Sequence, residues 1–429
     1  MTSDALALLG GPKVRTKPFP AYPVIGPEER QAVLDVLDEG RLSTFIASKG
    51  ENFLGGRRIR EFERAFAEKT GTKYAVAFNS ATAALHAAVV AVGVNPGEEV
   101  IVPPYTFTST ASCALMHGAI PVFADVDPLT FCIDPASVER AIGPLTRAII
   151  PVHLFGQAAP MDELLDLARR KNLTIIEDAA QAPAAAYRGR MLGTLGACGV
   201  FSFQESKNLM TGEGGMLVTD DLAIAEVCQL VRNHGEAVAE SFTHRTYMSE
   251  ILGWNYRMTE FEAALGLAQL RKIDEQNHAR QVLADHLTKR LNSVPGLMTP
   301  VVREGCDHVY YVYPLIVDEV RLGLPRDLFA EAVKAEGIPL GVGYVKPLYF
   351  SPLYQNRRAP AFEHYRGTAS YAPGICPVAE ELHTKTLVLI ADCRPPATEE
   401  DMDDIVKAID KVLRNRDALL AARGQGARS

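Results

Sequence analysis

Four short segments concentrate residue types that do chemistry. In Thr174-Ile-Ile-Glu-Asp178-Ala-Ala-Gln181, a β-branched run ends on an acid followed by small residues. The carboxyl ends of parallel strands border the ligand crevice, so Asp178 suits a buried carboxylate facing a cation. It equally suits a helix cap after a strand, or the metal-binding aspartate of a nucleotide hydrolase, although no phosphate loop accompanies it. In Phe201-Ser202-Phe203-Gln204-Glu205-Ser206-Lys207, a strand delivers Ser202, and Lys207 follows in a loop bounded by Thr211-Gly-Glu-Gly-Gly215. Glycines let backbone approach a ligand closely; a lysine there is otherwise simply solvated. Asn79-Ser80-Ala81-Thr82 lies between a strand and an apolar helix, where free N–H groups and the helix dipole favour an anion, or where Ser80 merely caps the helix. Pro103-Pro104-Tyr105-Thr106-Phe107-Thr108 offers Tyr105 and Phe107 for stacking on a planar ring or for the core.

Together these fit the needs of one cofactor. Pyridoxal 5′-phosphate requires a Schiff-base lysine, an acid on its pyridine nitrogen, an anion site for its phosphate and a stacking side chain. Lys207, Asp178, Ser202 with residues 80–82, and Phe107 supply all four.

The elements that position these residues follow from pattern. Strand-like runs at 74–78, 99–102, 121–124, 148–152, 174–177, 200–203 and 216–219 alternate with helical segments at 81–92, 106–117, 161–171 and 222–232, which predicts a largely parallel sheet covered on both faces. Helices are also expected over 27–39, opening on proline and closing at Gly40, and over 60–70 with Phe62, Phe66 and Ala67 on one face. Residues 1–19 read as an irregular arm and 20–258 as a large α/β domain. Helical spacing over 259–294 predicts one long connecting helix. Residues 295–429 read as a small α+β domain, with a strand over 308–317, helices over 325–336 and 398–414, and a fraying tail after Arg414.

Composition excludes several classes. At 429 residues the chain exceeds one ordinary domain, and 47% hydrophobic with 22% charged residues is ordinary for a globular protein. The net charge of −8 argues against nucleic acid as a partner, while leaving room for a local anion pocket. No apolar run has the roughly 18 residues of a membrane span, and the N-terminus lacks a secretory pattern. Seven scattered cysteines, none in a C-x-x-C pair, suit reduced thiols and a cytoplasmic location, and imply no metal site.

The order and spacing of the motifs carry a resemblance over residues 6–413. LALLGGPKVR, NSATAALHAAV, VIVPPYTFTST, PVHLFGQ, IIEDAAQA, FSFQESKNLMTGEGG, GWNYRMTEFEAALGLAQL and CPVAEELHTKTLVL resemble the DegT/DnrJ/EryC1/StrS family of sugar and aminocyclitol aminotransferases. The resemblance implies a fold-type I architecture, with a mostly parallel seven-stranded sheet, flanking helices and a small C-terminal α+β domain. It implies that Lys207 is the Schiff-base lysine, Asp178 the acid at the pyridine nitrogen and Gln181 a neighbour of the cofactor's phenolic oxygen. Ser80, Ala81, Thr82 and Ser202 would hold the phosphate and Phe107 would stack. Asn255 would reach the phosphate of a neighbouring subunit, giving a homodimer with shared active sites. The amino donor would be glutamine or glutamate, and the acceptor the ketone of an inosose-like cyclitol or a keto-sugar, as in aminocyclitol or antibiotic-type biosynthesis. Tyr105, Tyr344 and Lys346, with loop 41–57, are candidates for the acceptor pocket. There are two departures, of which the first should have little effect because alanine still supplies an N–H. The family's usual Ser-Gly-Thr turn is Ser80-Ala81-Thr82 here, and glutamine at 204 often replaces histidine in the aminocyclitol and aminohydroxybenzoate branch. A nucleotide-linked keto-sugar aminotransferase, a 3-amino-5-hydroxybenzoate synthase-like dehydratase and a non-catalytic sensor remain as rivals. Lys207 disfavours the dehydratase offshoot that carries histidine in its place.

Overall fold

The computed structural model describes residues 4–47, 51–237 and 248–426. A seven-stranded sheet forms its centre. The strands are β1 (Tyr74–Phe78), β2 (Glu99–Val102), β3 (Ile120–Phe123), β4 (Thr146–Ile149), β5 (Thr174–Asp178), β6 (Cys198–Ser202) and β7 (Gly215–Thr219). Their spatial order is β1-β7-β6-β5-β4-β2-β3, and only β7 runs antiparallel to its neighbours. Helices cover both faces, so β2, β6 and β7 are buried along their whole length and are apolar except at one end, where Glu99, Ser202 and Thr219 sit.

The flanking helices begin and end where sequence chemistry sets them. Helix α1 (Pro27–Glu39) opens with proline and the Glu29 carboxylate on the Gly26 N–H, and stops at Gly40 with φ 67°. Helix α2 (Arg57–Thr70) buries Ile59, Phe62 and Phe66, and α3 (Ala81–Ala91), apolar around its girth, is buried against the sheet. Helix α4 (Ser109–Met116) follows β2, α5 (Met161–Lys171) follows β4, and α6 (Leu222–Arg232) follows β7.

The connecting segment departs from expectation. It is two helices, α7 (Glu260–Leu270) and α8 (Ile273–Leu291), not one over 259–294. The turn at Arg271–Lys272 brings the Lys272 ammonium onto Glu28 and Glu29 of α1, the latter at 2.9 Å. Apolar spacing is nearly continuous across that turn, which is why periodicity alone misses it.

A second, four-stranded antiparallel sheet contains β8 (Leu297–Met298), β9 (Tyr313–Val317), β10 (Gly341–Val342) and β11 (Leu387–Ile390), in the order β8-β9-β11-β10. It packs with α9 (Arg326–Ala335) and α10 (Glu399–Arg414) around its own apolar core, which includes Leu6. The expected strand at 308–317 begins only at Tyr313. Upstream, Val309 and Tyr311 donate their N–H groups to Gly156 and Phe155 instead. The tail continues as α11 (Arg416–Gly426), with Leu419 buried in the small core rather than frayed. The N-terminal stretch is clamped there too: Arg15 pairs with Asp401 at 2.8 Å, and Glu336 accepts the N–H groups of Ala7 and Val14. No helix among the described residues is long and apolar enough to cross a membrane.

Candidate active site

The carboxyl edge of the large sheet gathers the predicted residues, because each follows or ends a strand whose direction points there. Asp178 closes β5. Its backbone extends the pairing toward β4, donating to Pro151 and accepting from His153. Its side chain is 3% exposed. Oδ2 accepts the Thr110 hydroxyl at 2.8 Å and Oδ1 the Ala180 N–H at 3.1 Å. Burial pushes the carboxyl above its ordinary value, and the Thr110 and Ala180 bonds and the Lys207 charge only partly offset this. A buried anion supported mainly by neutral donors favours a cation on its open side.

Beside it, β6 delivers Ser202. The chain then turns, with the Lys207 N–H donating to the Gln204 carbonyl at 2.8 Å. Gly212 (φ 84°) and Gly214 (φ 152°) allow the return that bonds Phe203 to Gly214. The Lys207 ammonium has no hydrogen bond or ion pair among the described residues and lies 4.4 Å from the centroid of the Tyr311 ring.

The third wall is the start of α3. Ser80 caps it, accepting the Ala83 N–H at 3.1 Å, which leaves the first-turn N–H groups of Ala81 and Thr82 without intrahelical partners. Gly215 packs tightly here: a Cβ at that position would sit 2.5 Å from the Ala81 nitrogen.

These walls enclose a cavity of about 450 Å³. Of the sequence-predicted residues, Ser80, Ala81, Thr82, Phe107, Asp178, Gln181, Ser202, Lys207 and Tyr344 border it. Phe107 is 58% exposed, so its ring is available for stacking. Gln181 is held at both ends: Oε1 accepts the Phe155 N–H at 2.7 Å, and Nε2 donates to the Tyr344 hydroxyl at 2.8 Å. Phe155 adopts a left-handed backbone (φ 59°) to aim that N–H.

Three predicted residues lie elsewhere. Tyr105 is fully buried behind the wall, its hydroxyl accepting the Tyr344 N–H at 2.8 Å, so it supports the pocket without lining it. Lys346 is exposed, near the Phe350 ring, and does not border the cavity. Asn255 is exposed and outside its own chain's cavity; its neighbour Tyr256 accepts the Asn79 N–H. Loop 41–57 contributes no lining residue among its described members, and residues 48–50 lie outside the described residues.

Sequence reasoning misses Thr110, Ser206, Glu213 and Tyr311, all of which serve or border the site. Thr110 reaches it from the first turn of α4, at the end of the VIVPPYTFTST motif but without a signal of its role, and Tyr311 from a distant segment that no local motif marks. His153 is structural. Its Nδ1 accepts the Ala159 N–H, so Nε2 carries the proton and donates to Glu177 at 2.9 Å. His234 is exposed, away from the cavity. A second cleft of about 510 Å³, lined by Thr72, Gly196, Thr219 and Asp220 among others, lies at the opposite edge of the sheet and takes in none of the predicted residues.

The donor set fits pyridoxal phosphate: a free lysine amine, a buried carboxylate open to a cation, helix-start N–H groups beside Ser202, and an exposed aromatic ring.

The model of the DegT/DnrJ/EryC1/StrS aminotransferase family matches residues 39–410. GDP-perosamine synthase of Caulobacter vibrioides is 39% identical over 394 residues, covering 92% of this chain and 97% of that protein. L-glutamine:scyllo-inosose aminotransferase of Streptomyces griseus is 37% identical over 425 residues, covering 96% and 98%. Among solved structures, S. venezuelae DesV in complex with a ketimine intermediate superposes with a TM-score of 0.77 at 33% identity, covering 90% of this chain and 94% of that one.

Proposed function

We propose a specific reaction for this chain, which belongs to the DegT/DnrJ/EryC1/StrS aminotransferase family and uses pyridoxal phosphate: it moves an amino group from glutamine to the ketone of a cyclitol or of a sugar. The observation that carries the reading is the meeting of Lys207 and Asp178 in one cavity whose remaining polar lining is mostly hydroxyl and amide groups. Such a lining suits an uncharged polyol.

The bound cofactor supplies an electron sink for the carbon that loses a proton. The chain's own residues do the rest. Asp178, desolvated and open on one side, would hold the ring nitrogen in its protonated form by pairing with it. Phe107 would stack on the ring. The Ala81 and Thr82 N–H groups and the Ser202 hydroxyl hold the phosphate, where the dipole of α3 adds to the attraction. Gln181, fixed by Phe155 and Tyr344, would neighbour the ring's phenolic oxygen. Lys207 would hold the cofactor at rest, and its Nζ would take the proton from the donor's α-carbon. The kinetics are ping-pong, because one cavity serves donor and acceptor in turn.

Asn255, exposed on its own chain, completes the phosphate site of a second copy, so the active unit is a homodimer. The Streptomyces griseus relative, named for glutamine and scyllo-inosose, supports the donor and the cyclitol acceptor. The Caulobacter relative supports a second reading, a nucleotide-linked keto-sugar acceptor. A panel of keto-cyclitols, free keto-sugars and nucleotide-linked keto-sugars, each with glutamine or glutamate, separates them by the mass of the aminated product. Amination confined to nucleotide-linked sugars overturns the first reading.

A further inference from the structure

We infer that Gln204 is a specificity-determining residue that donates to an oxygen of the amino acceptor beside its ketone, and that Tyr311 is the positioning residue that aims it. This rests on the cyclitol or sugar acceptor proposed above.

Gln204 borders the cavity two residues after Ser202. Its Oε1 accepts the Ser206 N–H at 3.0 Å and the Ser206 hydroxyl at 2.6 Å. A backbone N–H only donates, so the atom facing it is the oxygen, and the Nε2 amide is turned away from Ser206. Ser206 has a single hydroxyl proton, and that proton goes to Gln204. In the 2.8 Å contact between Ser206 and the Tyr311 hydroxyl, Tyr311 is therefore the donor. The chain of bonds runs one way, from Tyr311 through Ser206 to Gln204. It ends on two amide N–H groups without an acceptor among the described residues.

Tyr311 also governs the reacting amine. Its N–H is tied to the Phe155 carbonyl at 2.8 Å, and its ring lies under the Lys207 ammonium. One side chain thus mounts both the proton-carrying nitrogen and the relay that orients a donor on the same turn of chain. Donors fixed beside Lys207 match acceptor oxygens flanking the carbon to be aminated, which a polyol ketone carries as hydroxyls. A ligand lacking that hydroxyl leaves the Gln204 N–H unpaired, which penalises it.

The experiment compares wild type, Gln204→Ala, Tyr311→Phe, Ser206→Ala and the Gln204→Ala/Tyr311→Phe double variant. Tyr311→Phe keeps the ring under Lys207 and removes only the relay. KM is measured for glutamine and for an acceptor from the panel, and scyllo-inositol, a polyol without a ketone, is titrated by calorimetry. We expect Gln204→Ala to raise the acceptor KM about 10-fold more than the glutamine KM, with Tyr311→Phe and Ser206→Ala moving it the same way by about 3- to 5-fold. Scyllo-inositol binding weakens in parallel, and the double variant is no worse than Gln204→Ala alone. The inference is overturned if both KM values shift equally, if Tyr311→Phe worsens Gln204→Ala, or if scyllo-inositol binds all variants alike or wild type not at all. A wild-type enzyme that aminates no ketone in the panel overturns the acceptor reading instead.

Discussion

Glu177 and Asp178 are consecutive carboxylates on one strand, and the two faces of β5 treat them oppositely. Alternation along the strand sends their side chains to different sides of the sheet. Glu177 is fully buried and saturated: it accepts from His153 and from the N–H groups of Gly193, Leu195 and Gly196. Those bonds fix the loop that leads into β6 and leave nothing for a ligand. Asp178 is almost as buried but accepts from only Thr110 and Ala180, and its remaining side opens on the cavity. The saturated acid builds structure. The under-supported acid, held above its ordinary pKa by burial, creates a demand for a cation that a protonated ring nitrogen meets.

The contrast is tested hardest on the cavity side. Lys207→Ala should abolish both transamination and the visible absorbance of the cofactor-bound protein; a variant that kept both would remove Lys207 from the chemistry. Asp178→Asn should cost about 10²- to 10³-fold in turnover, the scale of losing one fixed electrostatic partner, while the melting temperature of the cofactor-free protein stays level or rises. The sign follows from linkage. The folded-state pKa of Asp178 lies above the unfolded one, so the folded state holds the proton more tightly. Its contribution to cofactor-free stability therefore declines as pH rises from about 4, the unfolded value, through the folded value. That decline should vanish in Asp178→Asn when melting is followed against pH.

Across the strand the expected pattern inverts. Glu177→Gln should destabilise by about 2–3 kcal/mol, because an amide nitrogen then confronts N–H groups that need acceptors. Denaturant titration measures this, and turnover per folded molecule should stay within a few-fold of wild type. A catalytic collapse in Glu177→Gln without loss of stability would erase the distinction between the two acids. The smallest effect is at the phosphate wall. Ser80→Ala removes the α3 cap and should cost about 1 kcal/mol by the same titration, with the Ala81 and Thr82 N–H groups still in place.

Much of this site is legible in local sequence. Asp178, Ser202, Lys207 and the 80–82 turn sit in contiguous motifs at strand ends, and helices such as 27–39, 161–171 and 222–232 carry their own start and stop residues. Tyr105 is not legible in the same way, because an aromatic residue after a strand looks the same whether it lines a pocket or backs one. Its hydroxyl is occupied by Tyr344, 239 residues away in sequence. The break at Arg271–Lys272 is hidden for a similar reason: the partners that Lys272 meets there, Glu28 and Glu29 of α1, lie far off in the chain.

The alternating α/β architecture, the family and the identity of the lysine and the acid are written in local periodicity and short motifs, so they can be read from the order of residues. Which buried acid is saturated and which is open depends on the folded arrangement. So does the departure of residues 308–312 from strand pairing, which brings Tyr311 under Lys207, and the turning of the Gln204 amide nitrogen away from Ser206. The contacts behind the first two outcomes join separate segments, Thr110 with Asp178 and Phe155 with Tyr311, while the last is a contact within one loop whose geometry only the folded turn sets.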